Sequence, residues 1–149
     1  LKLSPHAEGG WYRRTYTSKE ITTLKRGERS CGSAILYFLK CTEFSRLHFL
    51  RSDEVWYFHW GSPLKLHLFS EGTYKDVLLG TDLISNQHIQ YVIEAGTVFG
   101  AETTPNGKGS LVSCSVTPGF NELDFHWVET SEMIGKYPEK RALIRKLIR

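Results

Sequence analysis

The chain has 149 residues, 40% hydrophobic and 23% charged, with a formal net charge of +3. That length suffices for one domain, residues 1–149, with a core of its own. The mild basic excess gathers at Lys136, Lys140, Arg141, Arg145, Lys146 and Arg149 rather than on aromatic-rich segments, so no nucleic-acid partner is expected.

The N-terminal stretch carries His6 and Glu8 just before Gly9-Gly10, a glycine pair that either covers something or turns the chain. From Ala34 onward the chain reads as short β-rich runs: Ala34–Leu39, Arg46–Leu50, Val55–Trp60, Leu64–Phe69, Tyr74–Leu79, Ile89–Ile93, Thr97–Ala101, Leu111–Val116 and Leu123–Val128. Gly61-Ser62-Pro63, Glu71-Gly72, Pro105-Asn106-Gly107 and Pro118-Gly119 punctuate them. Regular short strands of this kind predict an all-β sandwich, barrel or jelly roll. A helical period appears only at the end, in Met133, Ile134, Tyr137, Ile144 and Ile148, and Pro138 interrupts it. That segment predicts a helix, or a broken pair, on the outside of the barrel.

The longest apolar run, Ala34 to Leu39, is strand-sized and well short of the ~18–20 residues of a membrane-spanning helix. No membrane partner is expected. The three cysteines, Cys31, Cys41 and Cys114, show no CxxC spacing, which suits a reducing, cytoplasmic setting better than a disulfide framework. The absence of GxGxxG, Walker, GxSxG and HExxH patterns leaves nucleotide hydrolysis, serine hydrolysis and zinc proteolysis without support.

Several separated blocks carry a resemblance. Leu3-Ser4-Pro5-His6-Ala7-Glu8-Gly9-Gly10-Trp11-Tyr12-Arg13, the run Ser52 to Leu64, Gln90 to Ala101, and Val116 to Phe120 with Asp124-Phe125 resemble the cupin-5 family of single-domain cupins. The resemblance implies a cupin double-stranded β-helix (a jelly-roll barrel) with a short C-terminal helical segment. It further implies a homodimer in which residues before Ile35 reach toward the partner. The chain departs from the family pattern at Ala7, Arg14 (where an acid is common), Phe49, Tyr57 and Glu94.

Strand alternation puts Glu54, Trp56, Phe58 and Trp60 on one face and Val55, Tyr57 and His59 on the other. The resemblance turns the Glu54 face inward and adds His48 from the preceding strand. His48 and Glu54 are the candidate catalytic pair, a base that titrates near neutrality beside a carboxylate. Tyr37, Tyr57 and Tyr91 are all candidates for the acid. Trp56, Phe58, Gln90 and Phe99 are the candidate ligand-binding residues, aromatic walls plus an amide able to donate and accept.

Metal-binding cupins converge two or three histidines and a glutamate on one ion. Here Arg46 stands two residues before His48 where a second histidine would complete the pair, and Phe99 occupies the later histidine position. No tight metal and no other cofactor is expected; His67 and His88 are the only substitutes considered. The expected function is therefore a barrel holding a polar, sugar- or nucleotide-like small molecule, its reaction unassigned. A metal-independent isomerase or epimerase with His48 as base, and a non-catalytic structural or storage cupin, are the alternatives.

Overall fold

A computed structural model describes residues 1–105 and 107–148. The strands, in chain order, are β1 (Ser4–Pro5), β2 (Trp11–Thr17), β3 (Ile21–Leu24), β4 (Gly27–Ser30), β5 (Ser33–Leu39), β6 (Phe44–Leu50) and β7 (Asp53–Gly61). They continue with β8 (Leu64–Ser70), β9 (Thr73–Leu79), β10 (Gln90–Ile93), β11 (Val98–Thr103), β12 (Ser110–Thr117) and β13 (Phe125–Trp127). Helix α1 (Thr130–Lys136) and helix α2 (Arg141–Ile148) close the chain, separated by a 3-10 turn that begins at Pro138.

One sheet has the order β1-β2-β5-β12-β7-β10 and the other β13-β6-β11-β8-β9, with every ladder antiparallel. This is the two-sheet jelly roll. The short β3–β4 hairpin stands apart. The nine strands read from sequence are found within a residue or two, except that the last begins as a 3-10 turn at Glu122–Asp124 before β13.

Residues one apart alternate between the two faces, so each strand of a half-buried sheet sends every second side chain inward. Leu39, Trp56, Leu64, Leu66, Phe99 and Val112 meet between the sheets. On the far side of the second sheet, Leu47 and Phe69 are capped by Met133, Tyr137, Ile144 and Leu147 of the two helices. The α2 sequence, with an apolar stripe at helical spacing, has no other surface on which to bury it. No helix among the described residues is long and apolar enough to cross a membrane.

Three bulges adjust the simple alternation, one of them in β2 between Arg14 and Tyr16. In β7, Phe58 lies opposite Val112 but Trp60 lies opposite Leu111. One extra residue therefore turns Trp60 from the inner to the outer face, where it is 53% exposed. In β6, Ser45 pairs with Ala101 and His48 with Phe99, three residues against two. The bulge brings Ser45 and His48 to the same inner face, although strict alternation would separate them.

Candidate functional site at one end of the barrel

The N-terminal loop enters the barrel because of its glycines. Gly9 and Gly10 both have positive φ, 105° and 70°. A Cβ on Gly9 would lie 2.2 Å from the Phe44 carbonyl oxygen, and one on Gly10 would lie 2.9 Å from the Tyr37 hydroxyl. Only glycine meets both conditions. The loop is then fixed: the Tyr37 hydroxyl donates to the Gly9 carbonyl at 2.7 Å, and the Arg46 N–H donates to the Glu8 carbonyl at 2.8 Å. Glu8 is thereby carried into the interior and buried.

Glu8 meets the products of the β6 bulge. The Ser45 hydroxyl donates to Glu8 Oε2 at 3.2 Å, and His48 Nε2 stands 3.4 Å from Glu8 Oε1. His48 Nδ1 is 2.6 Å from the Arg46 carbonyl oxygen. A carbonyl can only accept, so Nδ1 carries the proton and Nε2 of the neutral ring presents its lone pair to Glu8. Phe99 at 4.2 Å and Phe125 at 5.0 Å enclose the imidazole.

Across the interior, Glu54 and Trp56 project from β7, opposite Val116 and Cys114 of β12. Both are buried. The Trp56 indole N–H has no hydrogen-bond partner. It lies close enough to Glu54 to favour that carboxylate's charged form, but outside hydrogen-bond geometry. An orphaned buried donor of this kind costs about 1–3 kcal/mol.

These groups border a cavity of about 40 Å3 that is lined by Glu8, Arg14, Tyr37, Glu54, Trp56 and Cys114, among others. An open cleft of about 430 Å3 adjoins it, and Arg14 and Phe120 belong to both. The inner space accepts a small end group or a few waters; the cleft outside can hold the rest of a larger molecule.

Burial governs the charges. It pushes Glu54 up to about 8, with the neighbouring Glu8 adding to the effect. Glu8 is raised as well, first by burial and against the opposing pull of His6, the Ser45 hydroxyl and Arg46. Burial holds His48 down at about 4, more than offsetting its bond to the Arg46 carbonyl. The Tyr37 hydroxyl is pushed far up, again chiefly by burial. At neutral pH the interior thus holds a neutral imidazole and a carboxyl group at Glu54 that keeps its proton. A protonated carboxyl both donates and accepts.

Of the residues singled out from sequence, Glu54 and Trp56 border the cavity directly. His48 and Phe99 lie behind it, with Glu8 between His48 and the open space. Phe58 is inward but only half-buried, packing against the core farther along β7 and away from the cavity. The expectation that Gln90 faces the interior is corrected. Gln90 pairs with Tyr57, whose side of β7 is the outer face, and it is exposed on the edge strand. Tyr91, one residue on, takes the inward position opposite Trp56. Of the candidate acids, Tyr37 alone borders the cavity, and its hydroxyl proton is committed to Gly9. Glu8 was legible only as part of a loop motif; the glycine pair after it was the available signal.

The donor set does not fit a tightly held divalent ion. Among the described residues, no group of three or more His, Cys, Asp or Glu side chains converges as metal ligands would. Phe99 lies directly across from His48, where a second imidazole would be needed. His67, the substitute considered from sequence, bonds Tyr74 and Glu102 beside α2 rather than in the interior.

An antiparallel jelly roll with a small interior cavity, mostly apolar but bordered by buried carboxyl groups, is consistent with the architecture of a cupin. The chain matches the model of the Cupin_5 family, cupin superfamily (DUF985), over residues 1–128, and it belongs to that family. A hypothetical protein from Leishmania major is similar at 30% identity and a TM-score of 0.92, covering 99% of this chain and 94% of that one. A protein from Shewanella oneidensis is similar at 36% identity and a TM-score of 0.89, covering 99% and 92%. The oxalate decarboxylase of Bacillus subtilis shares the fold alone, at 15% identity and a TM-score of 0.58. This chain spans 36% of its length. No curated protein matches the chain.

Proposed function

We propose that the protein binds a small polar molecule at the Glu8–Glu54 end of its barrel. The observation that carries this reading is the unpartnered Trp56 N–H, buried beside two carboxyl groups at the wall of a cavity. Folding gains nothing from burying an unpartnered donor beside an acid that has no cation. A ligand hydroxyl that accepts from Trp56 and shares a proton with Glu54 would repair both. Sugar-like and nucleotide-like molecules offer such hydroxyls. Mass spectrometry of molecules released from the purified full chain tests the proposal. A polar ligand recovered from the wild type and lost from Glu54→Gln is the expected result; recovery of the same ligand from both would refute it.

A second reading, a metal-independent isomerase, is favoured by the Glu8–His48 contact. Glu8 borders the cavity and His48 Nε2 stands behind it at 3.4 Å. A proton taken by Glu8 from a carbon next to a carbonyl could pass to the His48 lone pair. In this form His48 acts through Glu8 rather than on the substrate. Incubating the released ligand with the protein in deuterium oxide would show hydrogen exchange at carbon, abolished in Glu8→Gln.

The proposal includes a homodimer. Trp60 and Val92, 53% and 47% exposed, lie on the outer face of the six-stranded sheet and leave apolar surface for a second copy. Of the residues before Ile35, Trp11–Thr17 pair along β5 within the chain, while the β3–β4 hairpin lies outside both large sheets. Sedimentation at micromolar concentration distinguishes dimer from monomer.

A further inference from the structure

We infer that Arg14 makes the site selective for anions: the molecule held in the barrel carries a carboxylate or phosphate at the mouth and a hydroxyl-bearing end inside. This rests on the reading of the interior as a binding pocket and names the class of ligand it takes.

Arg14 lies opposite Ile35 in the β2–β5 ladder, on the same side of β2 as Tyr12, which faces Tyr37. Ile35, Tyr12 and Tyr37 all pack toward the core between the sheets. Alternation therefore points Arg14 to the inner face, at the rim where β2 leaves the barrel. Its side chain borders both the small inner cavity and the open cleft outside, and only Phe120 shares that position. Both residues therefore stand where the cleft meets the inner cavity.

The guanidinium is placed rather than loose. It sits over the Phe120 ring, 5.4 Å from the centroid. Phe120 is itself tied to β5 by its N–H, which donates to the Ser33 hydroxyl at 2.9 Å. Among the described residues no carboxylate lies within ion-pair distance of Arg14. Its planar donors are free for the paired oxygens of a carboxylate or phosphate. The two nearest cavity acids do not cancel its charge, because burial keeps a proton on Glu54 and favours one on Glu8. Glu122 also lines the cleft, without reaching ion-pair distance of Arg14.

The cavity thus has two unlike ends. Arg14 offers a fixed positive charge at the entrance, while Glu54, Glu8 and the Trp56 N–H offer neutral or proton-sharing hydrogen bonds inside. A hydroxy acid or a polyol phosphate matches that polarity; a neutral polyol matches only the inner end.

Three small probes of one skeleton test this: glycerol, glycerate and glycerol 3-phosphate, each titrated by calorimetry into the full chain at neutral pH and low salt. At least one anionic probe is expected to bind about tenfold or more tightly than glycerol, and whichever anion binds better identifies carboxylate or phosphate. Arg14→Gln should erase that preference without changing the melting temperature, since the side chain is exposed at the rim. Glu54→Gln should weaken every probe that binds. Should glycerol bind as well as both anions, with Arg14→Gln silent and Glu54→Gln weakening all, the anion inference is overturned while the pocket stands. Should none of the three bind or shift the Trp56 indole resonance, both fall together.

Discussion

Two buried carboxylates in this protein, Asp124 and Glu54, have opposite fates. Asp124 is 2% exposed and Glu54 7%. Asp124 accepts from Arg29 Nε at 2.7 Å, Arg29 Nη2 at 3.0 Å and Arg26 Nε at 3.2 Å. Those bonds hold its pKa below the ordinary value despite its burial. Arg26 also donates to Ser52 at 3.0 Å, so the cluster clamps the β3–β4 hairpin region across the barrel end. Glu54 has no cation. Its neighbours are another acid, a thiol and an indole, and burial drives it toward the protonated form. Where a buried acid is fully matched, the protein has built a clamp. Where it is left unmatched beside a cavity, the proposed ligand would supply the missing partner from outside the chain.

Breaking the matched member should have the largest effect. Asp124→Ala leaves a buried guanidinium without its anion, and the expected loss is about 3–5 kcal/mol in urea unfolding. In the wild type the depressed Asp124 pKa contributes stability above the ordinary carboxylate range. That contribution should disappear as the pH falls below about 4, through the folded-state value.

The unmatched member should show the opposite sign. The native state keeps the Glu54 proton up to about pH 8, while the unfolded chain releases it near pH 4.5. Stability should therefore fall as the pH rises through that window. Glu54→Gln removes this dependence and should be more stable than wild type at pH 9 by roughly 2–4 kcal/mol, but nearly equal at pH 5. A variant that collapses at every pH would make Glu54 a structural residue. The smallest effect belongs to Gln90→Ala. An exposed edge residue should change stability by less than about 0.5 kcal/mol and leave ligand content untouched.

The sequence disclosed the barrel strands that have one buried face, because burial imposes a period of two. It said little of β2, whose last five residues are all exposed, so that no burial pattern marks its faces, or of the small β3–β4 hairpin. Glu54 and Trp56 were legible because they lie on a regular stretch of strand. Gln90 was misplaced because neither its amide nor its place in the family resemblance fixes the face it takes; its pairing with Tyr57 does. His48 reached the interior by a bulge, and Glu8 by a glycine turn against the distant Phe44 backbone and Tyr37 hydroxyl. Both depend on contacts between segments far apart in the chain, which local patterning does not encode.

The claim that a neutral carboxyl group faces this cavity is tested most directly by titrating the Glu54 side-chain carbon by NMR, with Glu54→Gln for assignment. A midpoint near pH 8 is the result expected, with a coupled response from Glu8. A midpoint in the ordinary range near pH 4–5 would mean that the carboxylate is solvated or paired, and would contradict the account.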